Sequence, residues 1–190
     1  MTTPRAILEF WFAPQTRPLW FEKDKAFDEQ IRSRFGALVH AAQLGELDGW
    51  QDSPESTLAL LLLLDQFSRN VYRGLAKAYL GDERARQIAD RAIARGFDEL
   101  VDFQQRCFFY LPFEHGESLA DQQRAIMLFS RALERAGPAD RDRAIEEFDF
   151  AHRHRVIIER FGRFPHRNDA LGRPSTEAEI DFLRQPDSSF

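Results

Sequence analysis

Residues 24–43 read DKAFDEQIRSRFGALVHAAQ, and the apolar positions Phe27, Ile31, Phe35, Leu38, Val39 and Ala42 fall at i, i+4, i+8, i+11, i+12 and i+15. That spacing lines one face of an α-helix, because residues three and four apart share a side at 3.6 residues per turn. The same period extends along the chain. Ser53 caps a second helix with Pro54 at its first position, and that helix carries the five successive leucines Leu60 to Leu64. Leucine at every angle leaves no polar face, so this helix must be enclosed by protein.

Ala85, Ile88, Ala89, Ala92 and Ile93 define a third long helix, closed by Gly96 at a left-handed C-terminal position. An aromatic-rich segment from Leu100 to Tyr110 is expected to stop near Pro112, which lacks the N–H a helix needs. Ile126, Phe129, Ser130 and Leu133 mark a further helix, ended by Gly137 and Pro138. The next, from Asp140 to Phe161, has two apolar sides, Ile145, Phe148 and Val156 on one and Phe150, Ile157 and Phe161 on the other. It is therefore expected to lie centrally. A last short helix starts at Ser175 or Thr176, where Thr176 and Glu179 have capping-box spacing.

Strand-like alternation of useful length is absent, so the expected fold is all-α, built from antiparallel helix pairs with short connections. At 190 residues, one domain spanning 1–190 is expected. Arg91-Ala92-Ile93-Ala94-Arg95 is echoed by Arg131-Ala132-Leu133-Glu134-Arg135, a faint internal similarity that fits stacked pairs.

Composition closes off several classes of function. The single cysteine, Cys107, excludes an intrachain disulfide framework and any multi-cysteine zinc site, and its aromatic setting suits a buried, inert thiol. The longest apolar run, Leu58 to Leu64, is far short of the roughly twenty residues a membrane span needs, and the N-terminus lacks a signal-peptide pattern. A cytoplasmic protein without a membrane role is expected. With 26 Lys plus Arg against 31 Asp plus Glu the net charge is −5, and no broad basic surface is evident, which argues against nucleic-acid partners.

Polar residues occur in three unexpected places. Asp65-Gln66-Phe67-Ser68-Arg69-Asn70 follows the leucine run directly, with Arg73 beyond it. A carboxylate next to a buried helix needs a partner, and Arg69 at i+4 is in reach if the helix continues. The second block is Tyr110-Leu111-Pro112-Phe113-Glu114-His115-Gly116-Glu117, where Pro112 and Gly116 are expected to bracket a turn. Glu114 and His115 are candidates for an acid/base pair, and Glu117 suits a helix N-terminus. The third block, from His152 to Arg173, sets six arginines against Glu159 and Asp169, so it carries +4 and the other 168 residues carry −9. Arginine's planar fork suits a carboxylate or phosphate. His152 and His154 point about 200° apart on a helix and cannot share an ion, so no metal and no cofactor are expected.

These blocks, with Trp11-Phe12, Leu63 to Asn70, Arg73-Gly74, Phe109 to His115, His154-Arg155, Phe161 to Asn168 and Leu171-Gly172-Arg173, resemble the bacterial domain of unknown function 924 family, part of the tetratricopeptide-like superfamily. The resemblance runs from about Ala6 to Leu183. It implies a helical, repeat-like array and brings no established activity, substrate or cofactor.

The leading expectation is a helical binding protein with a polar wall formed by Asp65, Gln66, Arg69, Asn70, Glu114, His115, His154, Arg155, Arg163, His166, Arg167 and Asn168, holding a small anionic ligand or a peptide carboxylate. One alternative is a metal-independent acid/base enzyme, hydrolase-like, using Glu114 and His115. The other is a protein-interaction scaffold in which the polar blocks are structural.

Overall fold

The computed structural model describes residues 3–186 and Ser188, and among them no strand occurs: the fold is all-α. The helices are α1 (Pro4–Trp11), α2 (Lys25–Leu44), α3 (Pro54–Leu62), α4 (Ser68–Val71), α5 (Asp82–Ala94), α6 (Phe103–Glu114), α7 (Leu119–Arg135), α8 (Arg141–Phe161) and α9 (Glu177–Leu183). The chain divides into two compact units, Met1–Pro112 and Phe113–Phe190. No helix of the described residues is long and apolar enough to cross a membrane.

In the first unit the amphipathic stretch at 24–43 forms α2. Asp24 accepts from the N–H groups of Ala26 and Phe27, and Gly45, at φ 85°, ends the helix in the left-handed region that a side chain disfavours. Its apolar face buries Phe27, Ile31, Phe35, Val39 and Ala42. The leucine helix α3 opens on a capping box between Ser53 and Ser56. Leu58 through Leu64 are at most 1 % exposed, as an all-apolar circumference requires. α3 packs against α1 and α5, and α2 against α4. Aromatic rings fill the space around α1: Trp11 stacks on Trp20 with centroids 5.5 Å apart, and Phe108 meets Trp20 edge-on at 4.9 Å.

Between α3 and α4 the backbone widens into a single π-helical turn, Leu63–Phe67. Ser68 Oγ donates to the Leu63 carbonyl at 3.0 Å, serving an acceptor that the widened turn releases. The helix thus continues through Asp65 and Arg69, the condition for their pairing.

Two expectations about helices need correction. α6 does not stop before Pro112; it runs through it to Glu114. Only two residues follow the proline, so little of the helix lies beyond the lost hydrogen bond. Nor is α8 enclosed on both apolar sides. Ala144, Ala151, Ile157 and Ile158 are buried, whereas Ile145, Phe150 and Val156 are 50 %, 43 % and 59 % exposed. The stripe of Ala144, Ala151, Ile157 and Ile158 is buried, and the other apolar side stays open to solvent.

In the second unit α7 and α8 pack along each other. Gly162, at φ 69°, turns the chain out of α8, after which Phe164 returns to full burial beside Ile157 and Ile158. Thr176 and Glu179 form the expected capping box of α9. Glu179 also receives Arg163 through both carboxylate oxygens, at 2.6 and 2.8 Å, and Phe182 meets Phe161 with ring centroids 5.1 Å apart. The Arg163 hydrogen bond holds the Glu179 carboxyl down to about 2, with the Thr176 backbone assisting against burial. A carboxyl depressed in the folded state stabilises fully above the usual range near 4.5 and stops doing so as pH falls toward 2. Protection of the amides of residues 177–183, referenced to intrinsic exchange at each pH, is therefore expected to fall within that window. In Arg163→Gln the fall should begin nearer pH 4.5; an identical profile would rule this account out.

Candidate functional site

The first polar block lies in the π turn and α4. Asp65 Oδ1 accepts from Arg69 Nη2 at 3.3 Å, and Asp65 Oδ2 accepts from Gln66 Nε2 at 2.6 Å. The Arg69 fork also donates to Asp82 at 2.7 and 3.0 Å and to the Ala78 carbonyl at 2.6 Å, while its face lies 4.7 Å from the centre of the Tyr79 ring. Burial alone would weaken the proton affinity of Arg69; Asp82 and Asp65 reverse that and raise it. Asn70 donates to Asp28 at 2.8 Å, and Arg73 grips the same carboxylate at 2.6 and 2.7 Å. Burial would raise Asp28, but the bonds from Arg73 and Asn70 outweigh it and hold the carboxyl below its ordinary range. Asp65, Gln66, Arg69 and Asn70 therefore fasten α2, the π turn and the start of α5 to one another. Sequence reasoning found the i, i+4 pair; it missed Asp28 and Asp82, which differ from ordinary exposed acids only in where the fold puts them.

The second and third blocks meet in the second unit. His154, on α8 and 4 % exposed, places Nδ1 2.9 Å from the Phe150 carbonyl and 3.2 Å from Glu114 Oε1. The His115 ring centroid lies 6.0 Å from that of His154. Phe164 is the hub on the other side: His154 meets its ring edge-on at 5.6 Å, His166 lies at 5.6 Å, and the Arg167 guanidinium sits 4.5 Å from its centre. Arg167 Nη1 donates to the His115 carbonyl at 3.0 Å. Glu114, His115, His154, His166 and Arg167 thus form one cluster. Burial, then the positive character of His115, Arg167 and His166, pushes His154 down to about 3 despite the bond from Phe150, so its imidazole is neutral at pH 7.

The other expected wall residues are engaged elsewhere. Arg155 donates to Glu159 at 2.6 Å and to Gln123 at 3.0 Å, and Arg163 is held by Glu179. Asn168, 1 % exposed, bonds Ser175 and accepts from Arg173. Glu117 does not cap α7, which begins on Ser118. It accepts instead from the Phe164 N–H at 2.8 Å and from both Arg173 η nitrogens, tying the turn to the segment after α8. The reason is charge: Arg173 offers Glu117 a full cation where a helix end offers a partial one. Gln122 was not anticipated. Fully buried on α7, it donates to the carbonyls of Glu114 and Gly116 at 2.7 and 2.8 Å and clamps the turn that carries the site. Its place three residues before Ala125, on the apolar stripe of α7, was the available signal.

The geometric argument about His152 holds, since it is exposed and packs on Phe148 while His154 is buried. Spacing along one helix did not reveal that Glu114, His115 and His154 each bring one ligand-type atom to within 4.8 Å of the others.

An all-α fold carrying a buried carboxylate–imidazole cluster defines the class of protein. The chain belongs to the family described as bacterial protein of unknown function DUF924, whose model matches residues 7–187. It is similar to a solved structure of a protein of unknown function, ATU0120 from Agrobacterium tumefaciens, at 46 % identity and a TM-score of 0.82, covering 95 % of this chain and 96 % of that one. No curated protein matches.

Proposed function

We propose that the protein binds a small anion, a carboxylate or phosphate group, at the cluster of His115, His154, His166 and Arg167. The observation that supports this most directly is the gathering of His154, His166 and Arg167 around the single buried ring of Phe164, with His115 next to His154. The Arg167 guanidinium offers an anion a charge and a planar fork of donors, and the imidazoles around it offer further hydrogen-bonding nitrogens. Arg163 and Arg69 add little to this reading, because carboxylates of the chain already hold them.

The test is calorimetric titration of EDTA-treated protein with inorganic phosphate and with succinate. At least one is expected to bind. Arg167→Lys should weaken binding at least tenfold, since an ammonium cannot reproduce the planar fork. No binding by either anion, or unchanged affinity in Arg167→Lys, would count against the proposal. The metal-independent acid/base reading, with Glu114 and His115 as the working pair, is less well supported: Glu114 Oε1 lies 3.2 Å from Nδ1 of the buried His154, so the carboxylate faces a third residue.

A further inference from the structure

Glu114, His115 and His154 belong to the cluster just described, but their chemistry also suits a cation. We propose that these three side chains bind a divalent transition-metal ion of the zinc class. Two imidazoles and one carboxylate are a donor set that zinc and its neighbours accept, with an open position left for water or an anion. The proposal shares residues with the anion reading and does not depend on it.

Three features of the chain support it. The ligand-type atoms already lie within 4.8 Å of one another. Bonds of about 2.1 Å place tetrahedral ligands about 3.4 Å apart, a distance reached by side-chain rotation, most easily at the half-buried His115.

Adjacent residues within a helix diverge by about 100° and converge poorly on one ion. α6 ends at Glu114, which frees His115 from that geometry. Finally, buried side chains pin both backbones: Gln122 bonds the Glu114 carbonyl, and Arg167 bonds that of His115. Arg167 disfavours a bare dication, so the ion is expected to carry an anion at its open position.

The experiment uses the full-length protein, stripped with EDTA, desalted into phosphate-free buffer and titrated with Co2+, then with Zn2+. One equivalent of Co2+ should give saturable d–d absorption that Zn2+ displaces. His115→Ala and Glu114→Gln should each weaken binding at least tenfold while far-UV circular dichroism keeps its helical signal, and His152→Ala should bind as the parent does. Failure to take up one equivalent, or parental affinity in both His115→Ala and Glu114→Gln, would overturn the proposal. Binding of phosphate and of succinate to the stripped protein is scored separately, so metal uptake with neither anion bound removes the anion reading alone, and the reverse result removes the metal site alone.

Discussion

Replacing Arg69 by alanine is expected to lower the stability of the first unit by about 3 to 5 kcal/mol, the usual cost of breaking a buried ion pair by removing one partner. Asp65 is 2 % exposed and the Asp82 side chain 11 % exposed, so both carboxylates would remain out of water without their shared counter-charge. The Ala78 carbonyl would lose its donor as well. A loss of that size corresponds to a fall in Tm of about 6 to 20 °C for a chain of this length. The readout is built in, since Trp11, Trp20 and Trp50 are the chain's three tryptophans and all lie in the first unit. Urea unfolding followed by tryptophan fluorescence should show the full loss in Arg69→Ala. Arg69→Lys should lose less, keeping the charge without the fork that meets both oxygens of Asp82. A loss below about 1 kcal/mol in Arg69→Ala would place the pair in the range of exposed ion pairs and refute the fastening role.

What the sequence made legible follows the range of the interactions involved. α2 was readable in its extent from Asp24, and so were the enclosure of the leucine helix and the Thr176–Glu179 box, because each depends on residues within about four positions of one another. The Asp65–Arg69 pair was readable for the same reason. The π turn was not, because its widening depends on Ser68 finding the Leu63 carbonyl, an i−5 bond that no helical periodicity announces. Pro112 misled because its steric effect is local while its position near the end of α6 is decided by packing.

The candidate site shows the same division. Its residue types were visible in three blocks, but the contact that organises the cluster joins Glu114 to His154, forty residues later on another helix. The expected pair of neighbours, Glu114 and His115, becomes part of a three-residue group only because α8 brings His154 to the end of α6. Charge counting found the basic segment, yet it could not tell Arg163, which Glu179 holds beside α9, from Arg167, which lies against Phe164 and donates to the His115 carbonyl.

The titration of His154 in chelator-treated protein should show which force governs that cluster. Two effects oppose each other. A carboxylate oxygen 3.2 Å from Nδ1 favours an imidazolium, whereas burial and the positive neighbours His115, Arg167 and His166 favour the neutral ring. At an effective dielectric near 20 a close ion pair contributes about 4 kcal/mol, comparable with the effective cost of burying an ion. Burial first, and then His115, Arg167 and His166, push the folded-state value to about 3, against an ordinary value near 6.5.

Between those limits the unfolded chain binds one more proton than the folded one, so folding stability rises with pH, by up to about 1.4 kcal/mol per unit. The contribution is complete above pH 6.5 and is lost on acidification toward 3. Urea unfolding at pH 7.5, 6 and 5 should show the difference between the parent and His154→Gln changing with this slope, the parent losing its relative advantage in acid. Subtracting the variant removes the other titrating groups, and working at pH 5 and above keeps Asp28, Glu117 and Glu179, all depressed carboxyls, ionised in both states. A parallel pair of curves would mean that His154 does not sense its burial. A slope of the opposite sign would mean that Glu114 holds a charged imidazole, and the cluster would then be an internal ion pair with far less attraction for an external anion.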